Sequence, residues 1–217
     1  MTALPRPRAV LFDWDSTLVD NWGAIARALD LTFRTMGRQP WTEEEVRANA
    51  KQSLRDTFPG LFGDRWEQAQ SLFYSTFEDV HLDTLTVLPG AEDLLSSLNK
   101  LGVPMGVVSN KTGRYLRAEA THLGWTPWFH RIIGAQDAAH DKPAPDAIHM
   151  ALEGSGVLAG QDVWFVGDSA VDLACAHAAS CTAILLHPSN PHPENLHSHP
   201  PALHVAGCRD LLEHLYD

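Results

Sequence analysis

The chain has 217 residues, 44% hydrophobic and 20% charged, enough for one sizeable α/β core or a core with a small inserted domain. Sixteen Lys plus Arg against 27 Asp plus Glu leave a net charge of −11. Such a surface argues against non-specific nucleic-acid or membrane binding.

Ala9-Val10-Leu11-Phe12 is a short continuous apolar run, the pattern of a fully buried parallel strand. From residue 22 the period changes. Trp22, Ile25, Leu29, Phe33 and Met36 recur every three or four positions, predicting an amphipathic helix over 22–36. Thr42 with Glu45 forms a capping-box pattern opening a second helix, and Phe58-Pro59-Gly60 predicts a break. Trp66, Ala69, Phe73, Phe77 and Val80 make another helical stripe. Residues 20–85 therefore read as all-helical, without a strand.

After Pro89-Gly90 strands and helices alternate. Helices are predicted over 91–101, 112–123, 145–153, 170–179 and 211–215. Strands are predicted over 105–108, 131–133, 163–166 and 182–186. Alternation of this kind implies parallel βαβ units. The fold class predicted is α/β, a three-layer Rossmann-like parallel sheet with an inserted α-helical cap. Residues 1–19 and 86–217 would form the core and 20–85 the cap. The His- and Pro-rich stretch 187–204 reads as a surface loop.

Two acidic motifs stand at strand ends. In Phe12-Asp13-Trp14-Asp15-Ser16-Thr17, residues two apart in an extended strand share a face, so Asp13 and Asp15 point one way and Trp14 the other. Adjacent carboxylates repel unless a cation or proton lies between them. The second motif is Gly167-Asp168-Ser169-Ala170-Val171-Asp172. In a parallel sheet, ligands bind beyond the carboxyl ends of the strands, where Asp13, Ser109 and Asp168 can converge. Oxygen ligands with water and a phosphate oxygen suit Mg²⁺.

The set DWDST (13–17), VSN (108–110), DKPAPD (141–146) and GDSAVD (167–172) resembles the haloacid dehalogenase-like superfamily. The nearest branch is the phosphoglycolate phosphatase-like enzymes with a small helical cap. The resemblance implies a Mg²⁺-dependent phosphomonoesterase acting on a small phosphorylated metabolite. Asp13 would be the nucleophile, forming an aspartyl-phosphate. Asp15 would be the general acid and then the base, its carbonyl also binding the metal. Ser109 and Lys142 would hold the transferring phosphoryl, with Thr17 and Asn110 also near the phosphate. Asp168 would bind Mg²⁺ directly and Asp172 directly or through water. Many relatives carry Gly where this chain has Ser16, a small polar residue expected to keep the loop's path.

The same resemblance leaves a phosphosugar mutase open, since it shares every core residue. A phospho-accepting signalling module has a similar acidic pocket, but it is much shorter and lacks both the cap and the second acid. Lys51, with Arg38 and Arg55 behind it, is the cap cation expected to reach a substrate; otherwise cap cations are solvated surface groups. His187, His192, His197, His199 and His204 could suggest transition-metal binding, but they lack helical spacing, are diluted by prolines and fit a polar loop. The three cysteines form no CxxC pair and read as ordinary thiols. With no apolar run long enough to span a membrane and no apolar signal region, the expected location is the cytoplasm. No nucleic-acid or membrane partner is expected.

Overall fold

The computed structural model describes residues 4–49, 53–189 and 196–215. It divides into two compact units, Met1–Val19 with Val87–Asp217, and Asp20–Thr86.

The first strand, β1 (Ala9–Phe12), is buried at every position. It is followed by a two-residue strand, β2 (Val19–Asp20). Among its described residues the second unit holds four α-helices: α1 (Trp22–Thr35), α2 (Glu43–Asn49), α3 (Leu54–Phe62) and α4 (Trp66–Val80). The capping box at α2 forms: the Thr42 N–H donates to Glu45 Oε2 at 2.7 Å, and the Glu45 N–H donates to Thr42 Oγ1 at 3.2 Å. The unit is built on aromatics. Phe33, Phe58, Phe62, Phe73 and Phe77 are all buried, with ring centroids 5.3 Å apart for Phe33–Phe62 and 5.1 Å for Phe58–Phe62. Trp22 is buried too, under the Arg47 guanidinium, while Trp66 is half-buried.

The break expected at Pro59 does not occur. Helix α3 runs through Pro59 and Gly60 and stops at Gly63, whose φ is +56°. An interior proline costs about 3 kcal/mol. Burying the Phe58 and Phe62 rings, each contributing roughly 1.5–3 kcal/mol, offsets that cost.

The chain returns through β3 (Thr86–Val87), which pairs with β2 in a two-stranded ribbon. Then follow α5 (Ala91–Lys100), β4 (Met105–Thr112), α6 (Gly113–His122), β5 (Arg131–Ala135) and α7 (Asp146–Leu152). The last elements are β6 (Val163–Gly167), α8 (Ala170–Ala178), β7 (Thr182–Leu186), β8 (Leu203–Val205) and α9 (Cys208–Glu213).

Among the described residues six strands form one sheet in the order β5-β4-β1-β6-β7-β8, and the paired strands all run parallel. One helical layer packs on this sheet through Leu11, Val108, Ile133, Ile148, Val163, Phe165, Leu173 and Leu185, all buried in one cluster. This is the α/β, Rossmann-like class expected from the alternation. The sixth strand was not expected. Leu203-His204-Val205 falls inside the His- and Pro-rich stretch, too short to register as a strand by period. It is held by backbone pairing to β7, with the His187 N–H donating to the Val205 carbonyl at 3.0 Å. His204 is thus a strand residue, and its ring bonds the His187 carbonyl at 2.8 Å. His192 lies outside the described residues.

Topology positions the chemistry. Strand β1 lies between β4 and β6, paired Val10 with Met105 and Trp164. Chain order reverses on either side of β1, and that is where a parallel sheet opens a crevice at its carboxyl edge.

Candidate active site

Asp13 follows directly on β1, and its N–H donates to the Val166 carbonyl of β6 at 2.9 Å. Its carboxylate is buried and lies 2.7 Å from Lys142 Nζ. The same ammonium is 2.7 Å from Asp172 Oδ1. Asp168, just past β6, completes the group: ligand oxygens of Asp13, Asp168 and Asp172 all lie within 4.8 Å of one another. Burial pushes the Asp13 carboxyl up to about 7; Lys142 opposes this, while Asp172 and Asp168 add to it. Lys142 titrates above its ordinary value: burial works against its charge, but Asp13 and Asp172 prevail.

Asp172 is bound on both sides. Oδ1 accepts from Lys142, and Oδ2 accepts from the Ser169 N–H at 3.0 Å and from the Ser169 hydroxyl. Ser169 and Asp172 thereby form the capping box of α8. The residue is a helix cap and an ion-pair partner at once.

The strand β4 carries three polar residues in succession where its register with β5 shifts between Val108 and Thr112. Such irregularities re-aim side chains. Ser109 is buried, and its Oγ accepts the Lys111 N–H at 3.2 Å. Asn110 grips the backbone of Lys142: its Nδ2 donates to the Lys142 carbonyl at 3.1 Å, and the Lys142 N–H donates to its Oδ1 at 3.0 Å. Lys111 turns to Asp15, with Nζ 3.0 Å from Oδ1.

The carboxylates of Asp13 and Asp15 therefore rest on different ammonium groups. Burial raises Asp15 to about 6, with Lys111 opposing and Glu119 adding to it. Lys111 stays charged above its ordinary range because Asp15 and Glu119 outweigh its burial. Thr17 is fully enclosed, and its hydroxyl has no hydrogen-bond partner among the described residues.

Lys111 and Glu119 escaped the sequence reading. The available signal was Glu119 itself, a charge on the inner face of α6 beside buried Tyr115, Leu116 and Ala120. Lys51 lies outside the described residues. In the helical unit, Arg38 is exposed with its guanidinium 5.5 Å from the Phe62 ring centroid, and Arg55 Nε is 3.9 Å from Asp56 Oδ1.

A family model described as haloacid dehalogenase-like hydrolase matches residues 10–186. The chain belongs to the haloacid dehalogenase-like hydrolase family. The phosphoglycolate phosphatase of Pseudomonas fluorescens (strain Pf-5) is 32% identical over 216 residues, 95% of this chain and 79% of that one. Phosphoglycolate phosphatase 1 of Pseudomonas aeruginosa is 30% identical over the same shares. Among solved structures, a haloacid dehalogenase-like family hydrolase from Streptococcus pneumoniae shares the fold, with a TM-score of 0.83 over 98% of this chain and 99% of that chain at 22% identity. Family and relatives together make this chain an enzyme, a hydrolase of the phosphatase type. Among the described residues no helix is long and apolar enough to cross a membrane.

Proposed function

We propose that this enzyme is a Mg²⁺-dependent phosphomonoesterase that hydrolyses a small phosphorylated metabolite, phosphoglycolate or a close relation of it, through an aspartyl-phosphate on Asp13. The observation that carries the reading is the meeting of Asp13, Asp168 and Asp172 within 4.8 Å, with Lys142 on two of them.

The donor set fits the ion. Three carboxylates and no His or Cys make a hard, all-oxygen group of the kind Mg²⁺ takes. Asp13 resists ionisation chiefly because it is buried, and the Asp172 and Asp168 carboxylates beside it add to that against the pull of Lys142; a bound cation would favour its charged form. Asp13 and Asp168 would hold the ion by their carboxylates and Asp15 by its backbone carbonyl. Asp172 would meet it directly through a remaining lone pair or through water, its oxygens also accepting bonds from Lys142 and Ser169. When bound, Mg²⁺ neutralises phosphoryl charge and draws electron density from phosphorus.

In the first step an Asp13 carboxylate oxygen attacks phosphorus. The ester P–O bond breaks, and Asp15 gives its proton to the departing oxygen. In the second step water attacks the phosphorus, its proton passes to Asp15, and Asp13 leaves as free carboxylate beside inorganic phosphate. Ser109 and Lys142 hold phosphoryl oxygens throughout. Asn110 keeps Lys142 in place through its two backbone bonds. Thr17 would bring its hydroxyl to the phosphate only with a movement of the 13–17 loop, since no solvent reaches that atom.

The helical residues 20–85 act in this reading as the cap that selects the leaving group, with Lys51 as its substrate cation. The three cysteines are all buried free thiols, which fits a reducing compartment such as the cytoplasm.

The test is phosphate release from a panel of phosphate esters with and without Mg²⁺, alongside Asp13→Asn. Turnover that needs Mg²⁺ and vanishes in the variant is expected. No release from any ester, or an Asp13→Asn enzyme as active as wild type, overturns the reading. A durable aspartyl-phosphate without turnover points instead to a phospho-accepting module, and conversion of one sugar phosphate into its isomer points to a mutase.

A further inference from the structure

Two buried charged residues take no part in the chemistry at Asp13, and they meet beside Asp15. Lys111 Nζ lies 3.0 Å from Asp15 Oδ1 and 2.9 and 2.7 Å from the two carboxylate oxygens of Glu119. Glu119 is wholly buried, and its Oε2 also accepts the Trp14 indole N–H at 2.7 Å. Trp14 is itself fixed by edge-on packing, its ring centroid 5.8 Å from that of Trp125 and 6.5 Å from that of Phe129.

A carboxylate sealed from water is costly unless paired and fully hydrogen-bonded. An apolar residue at position 119 would pack against Tyr115, Leu116 and Ala120 without that cost. What Glu119 adds is direction. Lys111 is short of room to swing, because Glu119 takes it by two oxygens and is itself braced by Trp14. The ammonium is thereby aimed at Asp15. Asp13 and Asp15, two residues apart, thereby rest on separate ammonium groups, Lys142 and Lys111.

We propose that Lys111, anchored by Glu119 and Trp14, is a positioning residue for Asp15. It grips Oδ1 and so fixes the carboxyl group, leaving Oδ2 to carry the proton. As the bond from Asp13 to phosphorus forms and the ester bond breaks, the Oδ2 proton moves to the leaving oxygen. As water attacks phosphorus and Asp13 departs, a water proton returns to Oδ2. This inference rests on the phosphatase reading above and extends it to residues that touch no reacting atom.

The discriminating measurement is the leaving-group dependence of Asp13 phosphorylation in single-turnover experiments on the full-length, Mg²⁺-loaded enzyme. The pair of substrates is an alkyl phosphate that wild type hydrolyses and p-nitrophenyl phosphate, whose phenolate leaves without needing a proton. Lys111→Met should slow phosphorylation by the alkyl ester about 10- to 100-fold, and that by the aryl ester less than about threefold, a part of the full effect of a general acid. Glu119→Gln keeps the side chain's shape and should give the same split at about three- to tenfold. It decides the matter if Lys111→Met does not fold. Asp15→Asn is the reference and should show the largest split. A split in Asp15→Asn with none in either Lys111→Met or Glu119→Gln overturns the positioning role and leaves the phosphatase reading standing, as does a rise in KM alone. No split in Asp15→Asn sinks both.

Discussion

Asp172 lies directly against the Cα of Gly167: a Cβ at position 167 would sit 2.4 Å from the Asp172 Cβ and 2.4 Å from its Cγ. No side chain can occupy that space without moving the carboxylate. Asp172 is the residue that ties Lys142 to the α8 N-terminus, so any movement carries Lys142 with it. Gly167→Ala is therefore expected to cost about 1–3 kcal/mol of stability and to lower kcat/KM by at least about tenfold, since small displacements in a catalytic site are severe. Thermal melts and phosphate release on the same preparation check both. A variant as stable and active as wild type would contradict the packing.

Asp13 offers a pH test. Its carboxyl is pushed up to about 7 in the folded protein, against about 3.9 in an unfolded chain. Between those values the folded state holds a proton that the unfolded state lacks, so stability from this group is greatest at low pH and falls as pH rises through 7. Asp13→Asn removes the buried charge. In metal-free buffer the variant should be more stable than wild type at pH 8, by about 1–4 kcal/mol, and the gain should shrink at pH 5. Urea unfolding at the two pH values measures it. A gain that is larger at pH 5 would reverse the sign of the argument.

Metal addition should show the reverse preference. An ion that binds only the folded protein stabilises it by mass action, about 2.7 kcal/mol at a hundred times Kd. Mg²⁺ should therefore raise the Tm of wild type at pH 7.5, and chelation should return it. Asp168→Asn should abolish the shift, because that carboxylate is one of the three that converge. A shift of equal size in Asp168→Asn would place the ion elsewhere.

Ser16 occupies the left-handed region, with φ at +63°. Glycine enters that region without a Cβ penalty. A non-glycine residue pays roughly 1–2 kcal/mol in that region, while glycine pays in unfolded-chain entropy. Ser16→Gly is expected to stay within about 1 kcal/mol of wild type with activity retained. Ser16→Val, branched at Cβ, should lose about 2 kcal/mol or more. Chemical denaturation of the two variants distinguishes strain from mere tolerance.

Most of the frame was legible because its signals are local. A continuous apolar run announced β1, and the 3.6 period announced α1 and α4. The capping box at Thr42 and Glu45 formed as its spacing required. The misreadings came where packing overrode local preference. Buried Phe58 and Phe62 carry α3 through Pro59, and β8 exists only because β7 offers it an edge.

Acids at the ends of β1 and β6, a serine at β4 and a lysine in the loop after β5 were all readable from local pattern. Strand-end positions and motif order are properties of neighbouring residues. The pairing of the charges came from the folded arrangement of the strands. The order β4-β1-β6 brings Lys111 to Asp15 across 96 positions and Lys142 to Asp172 across 30. It also buries Glu119 against Trp14, 105 positions away. Which ammonium serves which carboxylate depends on distance and burial in the folded chain, and no periodicity records either.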